Sequence, residues 1–179
     1  MQCINLNSIE TRYSELSSSI LRTPTTKLSS PVLRDLIKKS EIYLKLECFQ
    51  HSGTFKARGA LSVTKQIIKE NKKFGITAAS AGNHAIAAAW AAKVEKLSAK
   101  VVMQTSANPY RISLAKTYGA EIIMKEGGLA AFAEADRLMR EENRTFIHPF
   151  DGIDTTLGSA GVGLEPVSYT HLRAHETSR

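Results

Sequence analysis

Lys56 is the residue whose type and place point most directly to covalent chemistry. It stands in the run Gln50-His51-Ser52-Gly53-Thr54-Phe55-Lys56-Ala57-Arg58-Gly59-Ala60. A polar, turn-prone stretch at 51–54 leads there into residues of high helix propensity, from 56 to about 69. Thr54 is the expected N-cap, its hydroxyl taking one of the first free amides. Lys56 then falls in the first helical turn, where the positive end of the macrodipole disfavours a cation by roughly 0.3–1 kcal/mol. That favours the free amine, the form that attacks a carbonyl. Taken alone, such a lysine also reads as a solvated surface group. A second turn, Ser80-Ala81-Gly82-Asn83-His84, follows a predicted strand at 75–79. Its small residues let backbone approach a ligand, and a helix opening there offers amides to a carboxylate. On its own, it could equally be an ordinary tight turn capped by Ser80 or Asn83.

The elements that must carry these two turns can be read along the chain. Asn7 is placed to cap a helix with Glu10 three positions on, and Ile9, Tyr13, Leu16 and Ile20 recur at helical spacing. Pro24 forces the residue before it to be extended, and Ser30-Pro31 opens a short helix to about Ile37. Residues 42–47 alternate as a strand that delivers the chain to the lysine turn. From there the pattern is helix 57–70, strand 75–79, an alanine-rich helix 82–95 and strand 100–104. A helix opened by Asn108-Pro109, strand 121–124, helix 129–142 and strand 145–148 complete the series. Such alternation predicts an α/β fold, an open parallel sheet with helices on both faces. The turns at 80–83 and 105–109 fall at strand carboxyl ends, where ligands collect in such sheets.

Composition removes several functional classes. At 179 residues the chain allows one ordinary domain, or one and a fragment. With 42% hydrophobic and 23% charged residues it is globular rather than disordered. No apolar run approaches the roughly 18 residues of a membrane span, and Met1 to Asn5 has neither part of a signal peptide. A cytoplasmic location is the default. Cys3 and Cys48 suggest no disulfide framework and no metal site. The net charge of +7 is dispersed among acids, as in Arg137-Leu138-Met139-Arg140-Glu141-Glu142, so nucleic acid is not an expected partner.

The run ending at Ala60 resembles the lysine motif Gly-Ser-Phe-Lys-x-Arg-Gly-Ala of the fold-type II, tryptophan-synthase-β-like pyridoxal-phosphate enzymes, with Thr54 in place of the Ser. Cysteine-synthase and threonine-synthase branches usually put Asp directly after the lysine. Ala57-Arg58-Gly59 instead resembles the serine/threonine dehydratase and serine racemase branch, and Ser80 to His84 is similar to that branch's Ser-x-Gly-Asn-His loop. The resemblance implies that Lys56 carries pyridoxal 5'-phosphate, that Phe55 lies against its ring and that Asn83 hydrogen-bonds its phenolic oxygen. It implies further that the loop of Ser80, Ala81, Gly82 and His84 binds the carboxylate of a small amino-acid substrate. Serine racemases place a Ser where this chain has Ala81, and that hydroxyl serves the face opposite the lysine. Ala81 has no proton to give, which points to elimination.

The implied reaction is that of an ammonia-lyase. A hydroxy amino acid such as L-threonine or L-serine becomes a 2-oxo acid and ammonia, with the Lys56 amine taking the Cα proton. A serine-racemase-like enzyme and a non-catalytic α/β binding module are the alternatives, and the intact enzyme is expected to be a homo-oligomer. The resemblance runs from about residue 10 to Glu165. It departs from Ala-Gly-Gln-Gly-Thr-Ile-Gly-Leu-Glu at Ser159, Ala160 and Gly161. In the family, the glycine-rich phosphate loop and the partner of the pyridine nitrogen lie in the second half. The expected organisation is 1–52 as the N-terminal part of a large domain, 53–145 as a small α/β domain and 146–165 as re-entry into the large one. Residues 166–179 read as a non-native tail, and His171 and His175 lack a third ligand for zinc. The fragment is expected to be inactive. Protection from exchange is expected at about 57–147, because 1–52 and 146–165 lack the sheet they would pack on.

Overall fold

The computed structural model describes residues 3–32, 41–72 and 74–170, and side chains as far as 167. The predicted helix as far as Ile37 falls largely outside the described residues; His171 and His175 lie wholly outside them. Helix α1 (Leu6–Leu16) opens on Asn5 rather than Asn7. The Asn5 carboxamide accepts from the Ser8 amide at 2.9 Å, and the Ser8 hydroxyl accepts from the Asn5 amide at 3.0 Å. Ser8 thus fills the place expected of Glu10, three residues after an earlier cap. Strands β1 (Thr25–Lys27) and β2 (Tyr43–Lys45) pair antiparallel, and two short 3-10 turns, Glu47–Phe49 and His51–Gly53, follow. Ser52 and Gly53 take φ values of 61° and 70°, the left-handed bend that swings the chain into helix α2 (Lys56–Lys69).

Thr54 does not cap α2. The N-cap position falls one residue later, on Phe55, which has no side-chain acceptor to offer. Thr54 is extended and contributes only its carbonyl, to the Ala57 amide at 3.2 Å. The helix that bears the lysine therefore starts without the side-chain cap its sequence suggested.

The alternating elements follow as read to within a few residues: β3 (Ile76–Ala79), α3 (Asn83–Val94), β4 (Ala99–Gln104), α4 (Pro109–Thr117), β5 (Glu121–Lys125), α5 (Gly127–Glu141) and β6 (Thr145–Phe146), and a helix not expected from the sequence, α6 (Ile153–Thr170), comes after them. Asn108 caps α4 through the Tyr110 amide at 2.8 Å. The four strands form one parallel sheet in the order β5-β4-β3-β6. Successive strand residues face opposite sides. Ile76, Ala78, Val101 and Met103 pack on the alanines of α3, while Ala79 and Val102 pack on Ala131, Ala135 and Leu138 of α5. Helices therefore cover both faces. Central β3 is buried along its whole length, and α3 is buried continuously from His84 to Ala92, sandwiched between the sheet and α2.

Segments α1 and α6 do not wait for a sheet. They pack on α2 and on each other. At Gly158 of α6 a Cβ would sit 2.5 Å from the Ser62 Cβ and 2.6 Å from the Arg58 carbonyl oxygen. Only glycine permits that approach. Segments 1–52 and 146–165 were expected to lack the sheet they would pack on; α1 and α6 instead find a surface on α2. Among the described residues no helix is long and apolar enough to cross a membrane.

Candidate active site

The sheet order decides where a ligand belongs. From β3 the chain steps outward to β4 and β5, then returns to place β6 on the other side of β3. The carboxyl ends of β3 and β6 therefore lie side by side at the point where the winding reverses, the crevice that ligands favour in open α/β sheets. β3 runs into Ser80–His84, and β6 runs into 147–150. His84 bridges the two: its Nε2 lies 2.8 Å from the Ile147 carbonyl oxygen, so that nitrogen carries the hydrogen. Burial, helped by the positive charge of Lys56, pushes the His84 pKa down to about 4, although the bond to Ile147 works the other way. At neutral pH the ring is uncharged.

Lys56 reaches the same crevice from α2. Its Nζ donates to the Pro149 carbonyl at 2.9 Å and lies 5.2 Å and 5.1 Å from the ring centres of Phe55 and Phe150. Burial lowers its pKa below the ordinary lysine value. The free amine anticipated from the helix dipole is thus favoured by desolvation. Around the amine opens a cleft of about 450 Å³, whose lining includes Ala60, His84, Pro149, Phe150, Thr155, Thr156, Ser159 and Ala160. That volume lies within the range of small-molecule sites.

Phe55, Lys56 and His84 thus come together. The other expected site residues lie elsewhere. Ser80 Oγ accepts from the Gly82 amide at 3.2 Å, closing the turn on itself. Ala81 packs against the sheet core. Gly82 lies so close under the Arg111 guanidinium that a Cβ would collide with it. Asn83 is exposed and lines a neighbouring hollow of about 460 Å³ with Ser52, Gly53, Tyr110 and Arg111. The turn 105–109 contributes nothing to the lysine cleft, because β4 lies on the far side of β3 from β6.

Sequence reasoning assigned no role to Pro149, Phe150 or the 155–160 face of α6. The available signal was the stretch His148-Pro149-Phe150-Asp151 directly after a predicted strand, which becomes informative once β6 is known to flank β3. Arg58 was read only as part of the motif. It is fully buried, with both oxygens of Glu47 at 2.8 Å from Nε and Nη2 and Glu165 Oε1 at 2.7 Å from Nη1.

An amine of lowered basicity, held between two aromatic rings in a cleft of this size, fits the aldehyde of an aromatic cofactor. The comparisons agree. The family described as pyridoxal-phosphate dependent enzyme matches residues 16–174. Phenylserine dehydratase of Ralstonia pickettii is 46% identical over 124 residues, covering 69% of this chain and 38% of the relative. The catabolic L-threonine dehydratase of Staphylococcus aureus is 36% identical over 166 residues, 90% of this chain and 46% of the relative. Among solved structures, maize serine racemase superposes with a TM-score of 0.86 at 28% identity, over 96% of this chain and 51% of that one. The T.th. threonine deaminase gives 0.81 at 33% identity, over 92% and 51%. The chain spans about half or less of the length of these relatives. Its parallel sheet clothed in helices is the fold of the type II enzymes of this class, and over most of its length the chain belongs to the family of pyridoxal-phosphate dependent enzymes.

Proposed function

We propose that this chain supplies the lysine-bearing half of an ammonia-lyase that removes water from a β-hydroxy amino acid such as L-threonine or L-serine. One observation carries the reading. The Lys56 amine, its pKa lowered by burial, stands at the switch-point cleft of a chain similar to two dehydratases. Pyridoxal phosphate, when bound, supplies the electron sink that lets a Cα proton leave. Lys56 Nζ would hold it and, as the free amine, would take that proton. The same Nζ hands the proton to the departing β-hydroxyl, so that water is lost. The enamine set free tautomerises to an imine, and water converts this to a 2-oxo acid and ammonia.

The surrounding residues position and shield. The rings of Phe55 and Phe150 stand within about 5 Å of the amine, placed to lie against an aromatic cofactor. No side chain caps α3, which leaves its first amides to receive the substrate carboxylate. His84, uncharged, holds the loop to the β6 side rather than neutralising the carboxylate. Racemisation is the second reading, favoured by the likeness to maize serine racemase. It needs a proton donor on the face opposite Lys56, and Ala81 has none.

The test joins residues 1–165 to the second half of the Staphylococcus aureus dehydratase. The product is offered L-threonine, L-serine and phenylserine, beside the 179-residue chain alone. The joined protein is expected to load the cofactor and release 2-oxo acid, while the chain alone binds weakly and turns nothing over. Absence of 2-oxo acid from every substrate overturns the reading. So does serine racemisation as fast as elimination.

A further inference from the structure

The first turn of α2 presents two residues with opposite surroundings. Lys56 points into the cleft, and Arg58, two positions and about 200° further round the helix, points into a buried cluster of charges. Arg58 grips Glu47 with a two-pronged pair, donates to Glu165 and also donates to the Leu21 carbonyl at 3.2 Å. Glu47 accepts in addition from Thr23 at 2.6 Å. Glu165 accepts from Lys45 and, at 3.1 Å, from Tyr13. Arg58 and Lys45 thus meet Glu47 and Glu165, drawn from α2, the segment around β2 and α6, with Tyr13 of α1 beside them. Burial alone would raise the Glu165 carboxyl, but hydrogen bonds from Arg58 and Lys45 outweigh it and hold it below the usual range.

Two features make this cluster relevant to the lysine. Glu47 and Arg58 are eleven residues apart, and Lys56 lies on the stretch they close. The start of α2 has no side-chain cap, and its first residue is a cation at the positive end of the dipole. Ala57 and Ala60 pack that turn against α3 from one side, and the Arg58 guanidinium ties it to two carboxylates on the other.

We propose that Arg58, held by Glu47 and Glu165, is a positioning residue: it fixes the first turn of α2 and thereby aims the Lys56 amine into the cleft. Arginine is required because its planar fork matches the carboxylate of Glu47 and still reaches Glu165; a lysine offers a point charge without that geometry. A loosened turn lets water reach the Lys56 amine, which then returns towards ordinary basicity. The inference rests on the reading of Lys56 as the carbonyl-binding residue.

The experiment pulses the 179-residue chain with pyridoxal 5'-phosphate across a pH series, fixes the adducts with borohydride and quantifies each lysine peptide by mass. Wild type is expected to label at Lys56 with a midpoint below the ordinary lysine value. Arg58→Lys is expected to raise the Lys56 midpoint towards that of a solvated lysine and to cut its labelling at neutral pH severalfold. Arg12→Lys serves as the control. Arg12 is also buried, pairs with Asp154 at 2.9 Å and donates to Ser62, which stands beyond the first turn of α2. It is expected to lower thermal stability and leave the Lys56 midpoint in place. Should Arg58→Lys not fold, Glu47→Gln, which removes one partner at the cluster's more exposed edge, carries the same expectation. An unchanged midpoint in whichever of these variants folds overturns the proposal, as does an equal shift in Arg12→Lys. Failure of wild type to label at Lys56 at all would instead sink the functional reading beneath it.

Discussion

On its sheet side α2 meets alanine, while on its other side it meets charge. Ala57, Ala60 and Leu61 face Ala87, Trp90 and Ala91 of α3, and beyond them the alanines of α3 lie on β3 and β4. Across α2, by contrast, α1 and α6 are joined to it through the buried Arg58, Glu165 and Arg12 and the part-exposed Asp154, with Leu16 of α1 also reaching the alanine cluster. Small apolar side chains hold the first region by close contact, which depends little on pH or salt. Paired charges hold the second, and each is secure only while its partner remains. Lys56 sits on the seam. Its helix is packed from one side and latched from the other, while its amine projects into the gap that β3, β6 and α6 leave open.

The comparison can be broken in several ways, and the largest effect is at the seam itself. Lys56→Ala in the joined protein should lower turnover by at least roughly 10²–10⁴-fold, the contribution of a positioned proton-transfer group. Hydrogen exchange in both regions should stay as it was, since the side chain takes no part in either core. Retained activity with threonine or serine contradicts the role given to Lys56.

Next in size is the charged region. Glu165→Ala leaves Arg58 and Lys45 without their shared carboxylate and should cost about 3–5 kcal/mol in urea unfolding. Arg140→Ala breaks an exposed pair with Asp136 and should cost less than about 1 kcal/mol. Similar losses for the two would mean that burial does not separate them.

Acid should act through His84. Its pKa is about 4 in the fold against an ordinary 6.5, so the unfolded chain takes up the proton first. The contribution is complete above about 6.5 and falls as the pH drops from there towards 4, a loss of about 3 kcal/mol. Unfolding at pH 7, 5.5 and 4 should show this slope, and His84→Gln should flatten it. A wild type equally stable at pH 7 and pH 4 would refute a buried neutral His84.

Among the buried sites the smallest effect belongs to the apolar side. Ala88→Leu forces a larger side chain between α3 and the sheet and should cost about 1–3 kcal/mol. Exchange should quicken in β3 and β4 first and leave α1 and α6 slow. Quickening that begins in α6 would mean that the two regions do not differ as described.

These two regions were not equally legible. Strands β3 and β4 fell within a residue of their predicted bounds, because a strand buried on both faces is a short apolar run with breaks beside it, as Gly75 at φ 93° shows. The alanine-rich run of α3 was equally plain. The charge cluster was not, since Arg58 and Glu165 stand 107 residues apart and no local pattern marks their pairing. Nor was the start of α2, where a hydroxyl one residue too early looked like a cap. At the site, Phe55, Lys56 and His84 were legible from motif and spacing. Pro149 and Phe150 needed the knowledge that β6 lies beside β3, which alternation of helix and strand does not reveal. The position of Asn83, on the far side of the first turn of α3, depends likewise on how that helix is rotated against its neighbours.

The central claim is that the cleft at the β3–β6 switch point holds the cofactor through Lys56. Its most direct measurement is the residue that carries the adduct when the joined protein, loaded with pyridoxal 5'-phosphate, is reduced with borohydride and digested. The account predicts one modified peptide, spanning Lys56, and its disappearance when unloaded protein is treated in the same way. An adduct centred on another lysine, or spread evenly over several, would contradict it.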